Sequence, residues 1–263
     1  MRIDNPALKL LLAAACFLLP TQAETMVESS SETRFQLDLK VPEAALAAYL
    51  PTSFTPNVAA QGAVKDCNLR AVFIDRITIN GPDGRPVGKG SNWLVYLVAP
   101  VKDPGGANVQ LVIAGLTEDP ADAPGPFGNY LQATTHAMQR TTSNTASSAS
   151  GPILDSQDWN FAAASGERLE LHIKYERGSG NKGNPADTKF YSGKAPGFYQ
   201  ISRQEQVLDI LRNVTTTPGD RVGVHLQGLR RQLRQALRRD REGLELGQHP
   251  VDSPLRPAPV SWV

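Results

Sequence analysis

The chain reads as mainly β with a few short helices, on three observations. The 263 residues include 22 glycines and 20 prolines, which suits many turns between short strands. Leu169, Leu171, Ile173 and Tyr175 alternate with Glu170, His172, Lys174 and Glu176, the period of two expected of a half-buried strand. Trp93 to Val101 and Val109 to Leu116 are nearly continuous apolar runs of strand length, which predicts burial on both faces.

The chain starts with Arg2 and Lys9 around an apolar run from Leu10 to Leu19, followed by Pro20-Thr21-Gln22-Ala23. This is the layout of a secretory signal peptide cleaved after Ala23, so an exported protein, periplasmic or secreted, is expected. The run is about half the ~20 residues a membrane span needs. Cleavage before Cys16, as in a lipoprotein, would leave too short an apolar region. Without residues 1–23 the chain carries 25 basic and 25 acidic residues. That balance offers no bulk attraction to nucleic acid. Cys67 is then the single thiol, so no internal disulfide is expected.

Residues 24–33 read as a flexible lead-in. Phe35, Leu37 and Leu39 alternate in a strand over 34–40, and Pro42 opens a short helix that Pro51 stops. Leu69, Ala71, Phe73, Ile77 and Ile79 share one phase of a strand over 68–80, and Asp75 interrupts that phase. Asn80-Gly81-Pro82-Asp83-Gly84 is a turn. After the two buried strands comes a proline-rich loop over 119–128, then a segment, 129–140, whose spacing predicts a short helix. Residues 141–150 read as a loop. Ser165-Gly166 turns a hairpin within Asp158–Gly178, with Trp159 and Phe161 on the partner strand. Residues 179–196 read as a loop, and Phe198 to Ile201 as a last strand. Leu226, Leu229, Leu233 and Leu237 stand at helical spacing among arginines between Arg221 and Arg239. The expected organisation is a signal peptide over 1–23, a lead-in over 24–33 and one β domain over 34–215. A basic amphipathic helix over 216–246 and a proline-rich disordered tail over 247–263 complete it.

Several chemistries are absent from the sequence. There is no GxSxG, HExxH, P-loop or dinucleotide motif, and no metal or redox motif, so no cofactor or metal is expected. Glu170, His172, Lys174 and Glu176 form an acid–base set on paper, but their balanced alternation is what a solvated outer face needs. Asp75 is a candidate because a carboxylate in an apolar phase must be paired or functional, with Arg70 or Arg76 at hand. His136, with Tyr130 and Arg140, follows the proline-rich loop that holds Phe127. The arginine-rich helix suits an anionic membrane surface or an acidic partner, and equally a leucine-packed helix with a basic outer face.

The order of these elements resembles the acetoacetate decarboxylase-like superfamily. The residues carrying the likeness are FQLDLKVPEAALAAYLP, LRAVFIDRITINGPDG, the paired buried strands, GPFGNY and the WNF to LELHIKYERG segment, over most of residues 34–213. A lipocalin-like barrel is the rival architecture. The resemblance implies a closed or partly closed antiparallel β-cone or barrel with a mostly apolar ligand site inside. It also places chemistry near His136, Tyr130 and Arg140. The decarboxylases use a Schiff-base lysine beside a second lysine, whose charge and desolvation lower the amine's pKa. This sequence has no lysine from Asp103 to Ile173 and no Lys-Lys pair anywhere.

The reading is therefore an exported protein of this superfamily that binds a small organic ligand, keto-acid-like or apolar, without Schiff-base decarboxylase activity. The weak catalytic candidates are Asp75, His136 and Arg140. The ligand-binding candidates are Arg70, Asp75, Phe127, Tyr130 and His136. The alternatives are a lyase or hydrolase of different chemistry on the same fold, and a peripheral interaction module using the Arg221–Arg239 helix.

Overall fold

The structure, a computed structural model, describes residues 25–62, 64–122, 130–144, 153–176, 186–204 and 223–227. It is mostly β: an 11-stranded mixed sheet, one five-residue helix and one short 3-10 turn. The strands are β1 (Ser29–Leu39), β2 (Thr55–Pro56), β3 (Leu69–Asn80), β4 (Asn92–Lys102), β5 (Asn108–Thr117) and β6 (Tyr130–Asn144). They continue as β7 (Ile153–Ala163), β8 (Arg168–Glu176), β9 (Ala186–Ser192), β10 (Ala195–Gln204) and β11 (Gly223–Gln227). The helix α1 is Glu43–Ala47.

The main path runs β1-β3-β4-β5-β6-β7-β8-β11. Its neighbours are antiparallel except at β5, where the sheet forks. Gly115, Leu116 and Thr117 pair in parallel with Tyr130, Leu131 and Gln132 of β6, while Gln110, Leu111 and Val112 pair in parallel with Phe190, Tyr191 and Ser192 of β9. β10 extends the β9 branch. The ends of the main path, β1 and β11, do not pair, so the closure is partial.

Curling brings one face of β1, β3, β4 and β5 onto the inner face of β7 and β8. Phe35 stacks on Tyr175 with ring centres 6.2 Å apart, and Phe73 meets Trp159 at 5.7 Å. Leu169, Leu171 and Ile173 are buried with them, so the expected apolar side of the Asp158–Gly178 hairpin closes the core. The turn forms at Gly166 with φ of +94°, and the Ala163 amide donates to the Glu167 carbonyl. The other side of the hairpin meets water. His172 and Asp158 are both exposed, and their side chains pair at 2.6 Å.

The second face of β3, β4 and β5 is buried too. Val72, Ile74, Leu94, Tyr96, Val98 and Val112 form a second apolar cluster, with Tyr130 and Phe190 packed against it. The continuous apolar run of β4 follows from this double burial. Tyr130 lies across Gly115 at the fork. A Cβ there would stand 2.6 Å from Tyr130 Cδ1 and 2.9 Å from the Val95 carbonyl oxygen, and the carbonyl cannot swing away. Gly115→Ala should therefore lower stability by about 1–3 kcal/mol, read as a lower urea midpoint at unchanged slope.

Asn68, buried, ties the entry of α1 to the sheet. Its side-chain oxygen accepts from the Val41 amide at 2.8 Å, and its nitrogen donates to the Val41 carbonyl at 2.7 Å. Asn92 does the same at the β4–β5 end, donating to the Asp119 carbonyl and accepting from the Thr117 hydroxyl.

Several expectations are corrected. Residues 130–140 form strand, not helix, because β6 finds a partner in β7 along its length and sheet pairing overrides the helix-forming composition. The strand runs on to Asn144, inside the segment read as a loop. The lead-in is ordered from Ser29, because β1 extends upstream to pair with β3 as far as Asn80. Ile77 leaves its apolar phase: the register shifts between Ser31 and Glu32, a bulge that turns Ile77 out to 56% exposure. Ala186–Ser192, within the expected loop over 179–196, is strand β9. Gly223–Gln227, within the expected C-terminal helix, is β11 and satisfies the open edge of β8. The remainder of 216–246, the signal segment and the tail lie outside the described residues.

Candidate functional site

Beside the Tyr130 fork, the second face carries a buried charged cluster that grows out of the alternation of β1. Phe35 and Leu37 point into the main core, so Glu32, Arg34, Gln36 and Asp38 project to the other side. Opposite them on β3, Arg70, Val72, Ile74 and Arg76 occupy the same face, in register with Asp38, Gln36, Arg34 and Glu32.

Glu32 sits at the centre. Its Oε2 accepts from Nε and Nη2 of Arg34, both at 2.6 Å. Its Oε1 accepts from the Ser30 hydroxyl at 2.6 Å and from Nε of Arg76 at 3.2 Å. Arg76 also donates from Nη2 to Glu28 at 2.5 Å, and its side chain is 0% exposed. Burial alone pushes the Glu32 carboxyl up, but Arg34, the Ser30 hydroxyl and Arg76 together hold it below its ordinary value. Two arginines and two glutamates balance, which is the condition for keeping such charges out of water.

Arg34 has a remaining nitrogen, Nη1, with no partner among the described residues, and its side chain is 17% exposed. Tyr96 and Tyr130 lie near enough to feel its charge. Burial pushes both phenols above their ordinary value, Tyr130 far above it, so both stay protonated and able to donate. The Glu32 carboxylate is engaged, and the spare groups include a guanidinium nitrogen and two phenols able to donate. Such a set suits a molecule that brings its own acceptor oxygens.

The candidates named from sequence fall in three places. Tyr130 belongs to this cluster. Arg70 lies further along the same face, donating from Nε to Asp38 at 2.8 Å, beside a small cleft. Asp75 and His136 lie on the opposite face, either side of Trp93. The Trp93 indole nitrogen donates to Asp75 at 3.0 Å, and its ring meets the His136 ring edge-on at 5.9 Å. Asp75 is thus satisfied by Trp93 and not by Arg70 or Arg76, which point to the other face. His136 Nε2 stands 3.6 Å from Glu118, which also takes Lys89 at 2.9 Å, while His136 Nδ1 is buried without a partner. Arg140 is four residues along β6 from His136, about 13 Å of strand, opposite Gln157. Phe127 lies outside the described residues. Among the described residues no group of three or more His, Cys, Asp and Glu side chains is arranged to hold a metal.

Glu28, Glu32, Arg34 and Tyr96 were not among the sequence candidates, and Arg76 was named only as a partner for Asp75. One signal was available, the polar phase of RFQLDLK, since a strand whose polar side carries Arg, Gln and Asp in sequence has a face that needs a partner.

Fold and cluster together define a partly closed, mostly β protein with a buried Arg–Glu–Tyr site on one sheet face. Among solved structures the chain is similar to an acetoacetate decarboxylase-like enzyme from Sphingomonas wittichii RW1, at 13% identity and TM-score 0.47 over 94% of this chain and 93% of that one. It is similar to the enduracididine biosynthesis enzyme MppR complexed with pyruvate, at 11% identity and TM-score 0.46 over 92% and 88%. It is also similar to acetoacetate decarboxylase, at 10% identity and TM-score 0.39 over 91% and 85%. The first and third of these neighbours carry the acetoacetate decarboxylase name of the superfamily that the sequence resembles. No protein-family model and no curated protein matches the chain.

Proposed function

We propose that this is an exported protein that binds a short oxo acid at Arg34, between Tyr96 and Tyr130, and does no Schiff-base chemistry on it. The observation that carries this reading is that a guanidinium nitrogen and two protonated phenols stand together where the Glu32 carboxylate is already engaged. The carboxylate of Glu32 is engaged by Ser30, Arg34 and Arg76, while Arg34 Nη1 and two protonated phenols remain to donate. A guanidinium and hydroxyl donors recognise carboxylate and ketone oxygens, and charge-assisted bonds of this kind are the strong ones.

No lysine is among the largest influences on Arg34, Tyr96 or Tyr130, and the sequence has none between Asp103 and Ile173. Without an amine there, a keto acid has nothing to condense with.

Calorimetric titration with pyruvate, acetoacetate and acetone tests the reading. The two acids should bind and acetone should bind at least about tenfold more weakly. Arg34→Met should weaken acid binding by about tenfold or more, and Tyr96→Phe by less. Borohydride added with acetoacetate should leave the protein mass unchanged. Absence of acid binding, or a stable reduced adduct, would overturn the proposal. Export predicts that the protein outside the cytoplasm begins at Glu24 on N-terminal sequencing; retention in the cytoplasm with an intact N-terminus would refute that part.

A further inference from the structure

We propose that the hairpin of β9 and β10 makes contact with an anionic lipid surface, with Phe198 entering the headgroup layer. Single exposed apolar side chains are common on proteins, but here the backbone builds the exposure. Ala195 pairs with Ser192, and Tyr199 pairs with the adjacent Tyr191. Pro196, Gly197 and Phe198 are therefore extruded together from the pairing, as a three-residue bulge. Phe198 is 73% exposed, more than any other large hydrophobic side chain among the described residues. A Cβ at Gly197 would meet nothing within 4 Å, so the bulge stands clear of the sheet.

The base of this projection is fixed. In the turn between the two strands, the Gly193 amide donates to the Val112 carbonyl of β5 at 2.9 Å. The Tyr199 ring meets Tyr191 with centres 5.4 Å apart, and Tyr191 meets the buried Phe54 at 5.1 Å. A ladder of rings thus runs from the core to the bulge and holds Phe198 outward.

Charge selects the occupant. From Thr188 to Ser202 the chain has Lys189 and Lys194 and no acidic residue. Lys189 Nζ stands 4.5 Å from the centre of the Tyr199 ring, and Lys194 is exposed in the turn. The nearest acid along the hairpin, Asp187, is taken by two nitrogens of Arg203, each at 2.9 Å. A second copy docked symmetrically would bring the same lysines against each other, and like charge opposes that. A folded acidic partner would have to offer a pocket matched to a protruding ring. A lipid surface needs none: it accepts aromatic side chains at headgroup level and gains from each nearby cation.

Flotation of the full chain with vesicles tests this, using phosphatidylcholine alone and a mixture with phosphatidylglycerol. The mixture should bind more tightly, and Lys189→Gln and Lys194→Gln should each weaken that binding about fivefold. Phe198→Ser should weaken it about tenfold, with an unmoved urea unfolding midpoint because the side chain is exposed. Phe198→Trp should bind like the parent and lose more fluorescence than the parent to lipid brominated high on the acyl chain. That readout reports on position 198 and not on the arginines between Arg221 and Arg239. The proposal falls if the parent ignores the mixture, if Phe198→Ser binds undiminished, or if Phe198→Trp is quenched no more than the parent. It falls equally if sedimentation shows a dimer that Phe198→Ser abolishes, which would assign the bulge to a second copy.

Discussion

Arg76→Met should destabilise the protein by about 3–5 kcal/mol, measured as the shift of the urea unfolding midpoint. Methionine has comparable length and fits the apolar cluster of Val72, Ile74 and Leu94, so loss of volume is not the cause. The cost arises because Glu28 and Glu32 lose a cation that is wholly buried with them. Removing one partner of a buried pair leaves a charge with neither water nor counter-ion.

The pH dependence identifies the cause. Glu32 is held below its ordinary value of 4.5 in the folded chain, so its contribution is present above that value and is lost as pH falls through the lower folded value. Arg76→Met removes one of the groups that holds it down. The deficit of the variant should be greatest near neutrality and should shrink as acid protonates the glutamates in both proteins. A deficit that stays constant from neutral to acid would mean that packing, and not charge, explains the loss.

Trp159→Ala should cost a similar amount, about 3–5 kcal/mol, through a different mechanism. The ring is 1% exposed, tilted against Phe73 and stacked on Phe161 with centres 6.2 Å apart. Its indole nitrogen donates to Gln157 at 2.9 Å, and Gln157 donates onward to the Tyr175 hydroxyl at 3.1 Å. Truncation leaves both a cavity and a buried Gln157 oxygen without its donor. This loss has no carboxylate in it, so it should vary little over the pH range in which the Arg76 variant recovers. His172→Ala, on the neighbouring strand and the outer face of the same hairpin, should change stability by less than about 0.5 kcal/mol.

The contrast between Trp159 and His172 was legible in the sequence. Alternation over 168–176 separates the two sides, and the balanced charges of one side mark it as wet. The buried runs of β4 and β5 were equally legible, since a strand with no polar phase has no face to offer water. β6 was not. Ala133, Gln132, Met138 and Arg140 are good helix formers, and nothing local reveals that β7 lies alongside to pair with them. Its threonines, at 134, 135, 141 and 142, were the weaker local sign of a strand. β11 was missed for the same reason, because Leu226 fits a helical stripe until the open edge of β8 is placed beside it.

The β1 segment shows where sequence stops and tertiary structure begins. The sequence by itself determined that Arg34, Gln36 and Asp38 share one side of a strand and that Phe35 and Leu37 share the other, and the fold added Glu32 to the first side. It also determined that no lysine lies between Asp103 and Ile173 and that no two lysines are adjacent. What covers the polar side was decided only by the fold. The partial closure of the sheet and the fork at Gly115 bring Tyr130 and Phe190 over the second face, and Arg76 arrives from the neighbouring strand. Periodicity is a property of one chain segment, whereas burial depends on neighbours remote in sequence. A polar phase that would be read as solvated thereby becomes a buried array of charges and donors, with Arg34 at its accessible point.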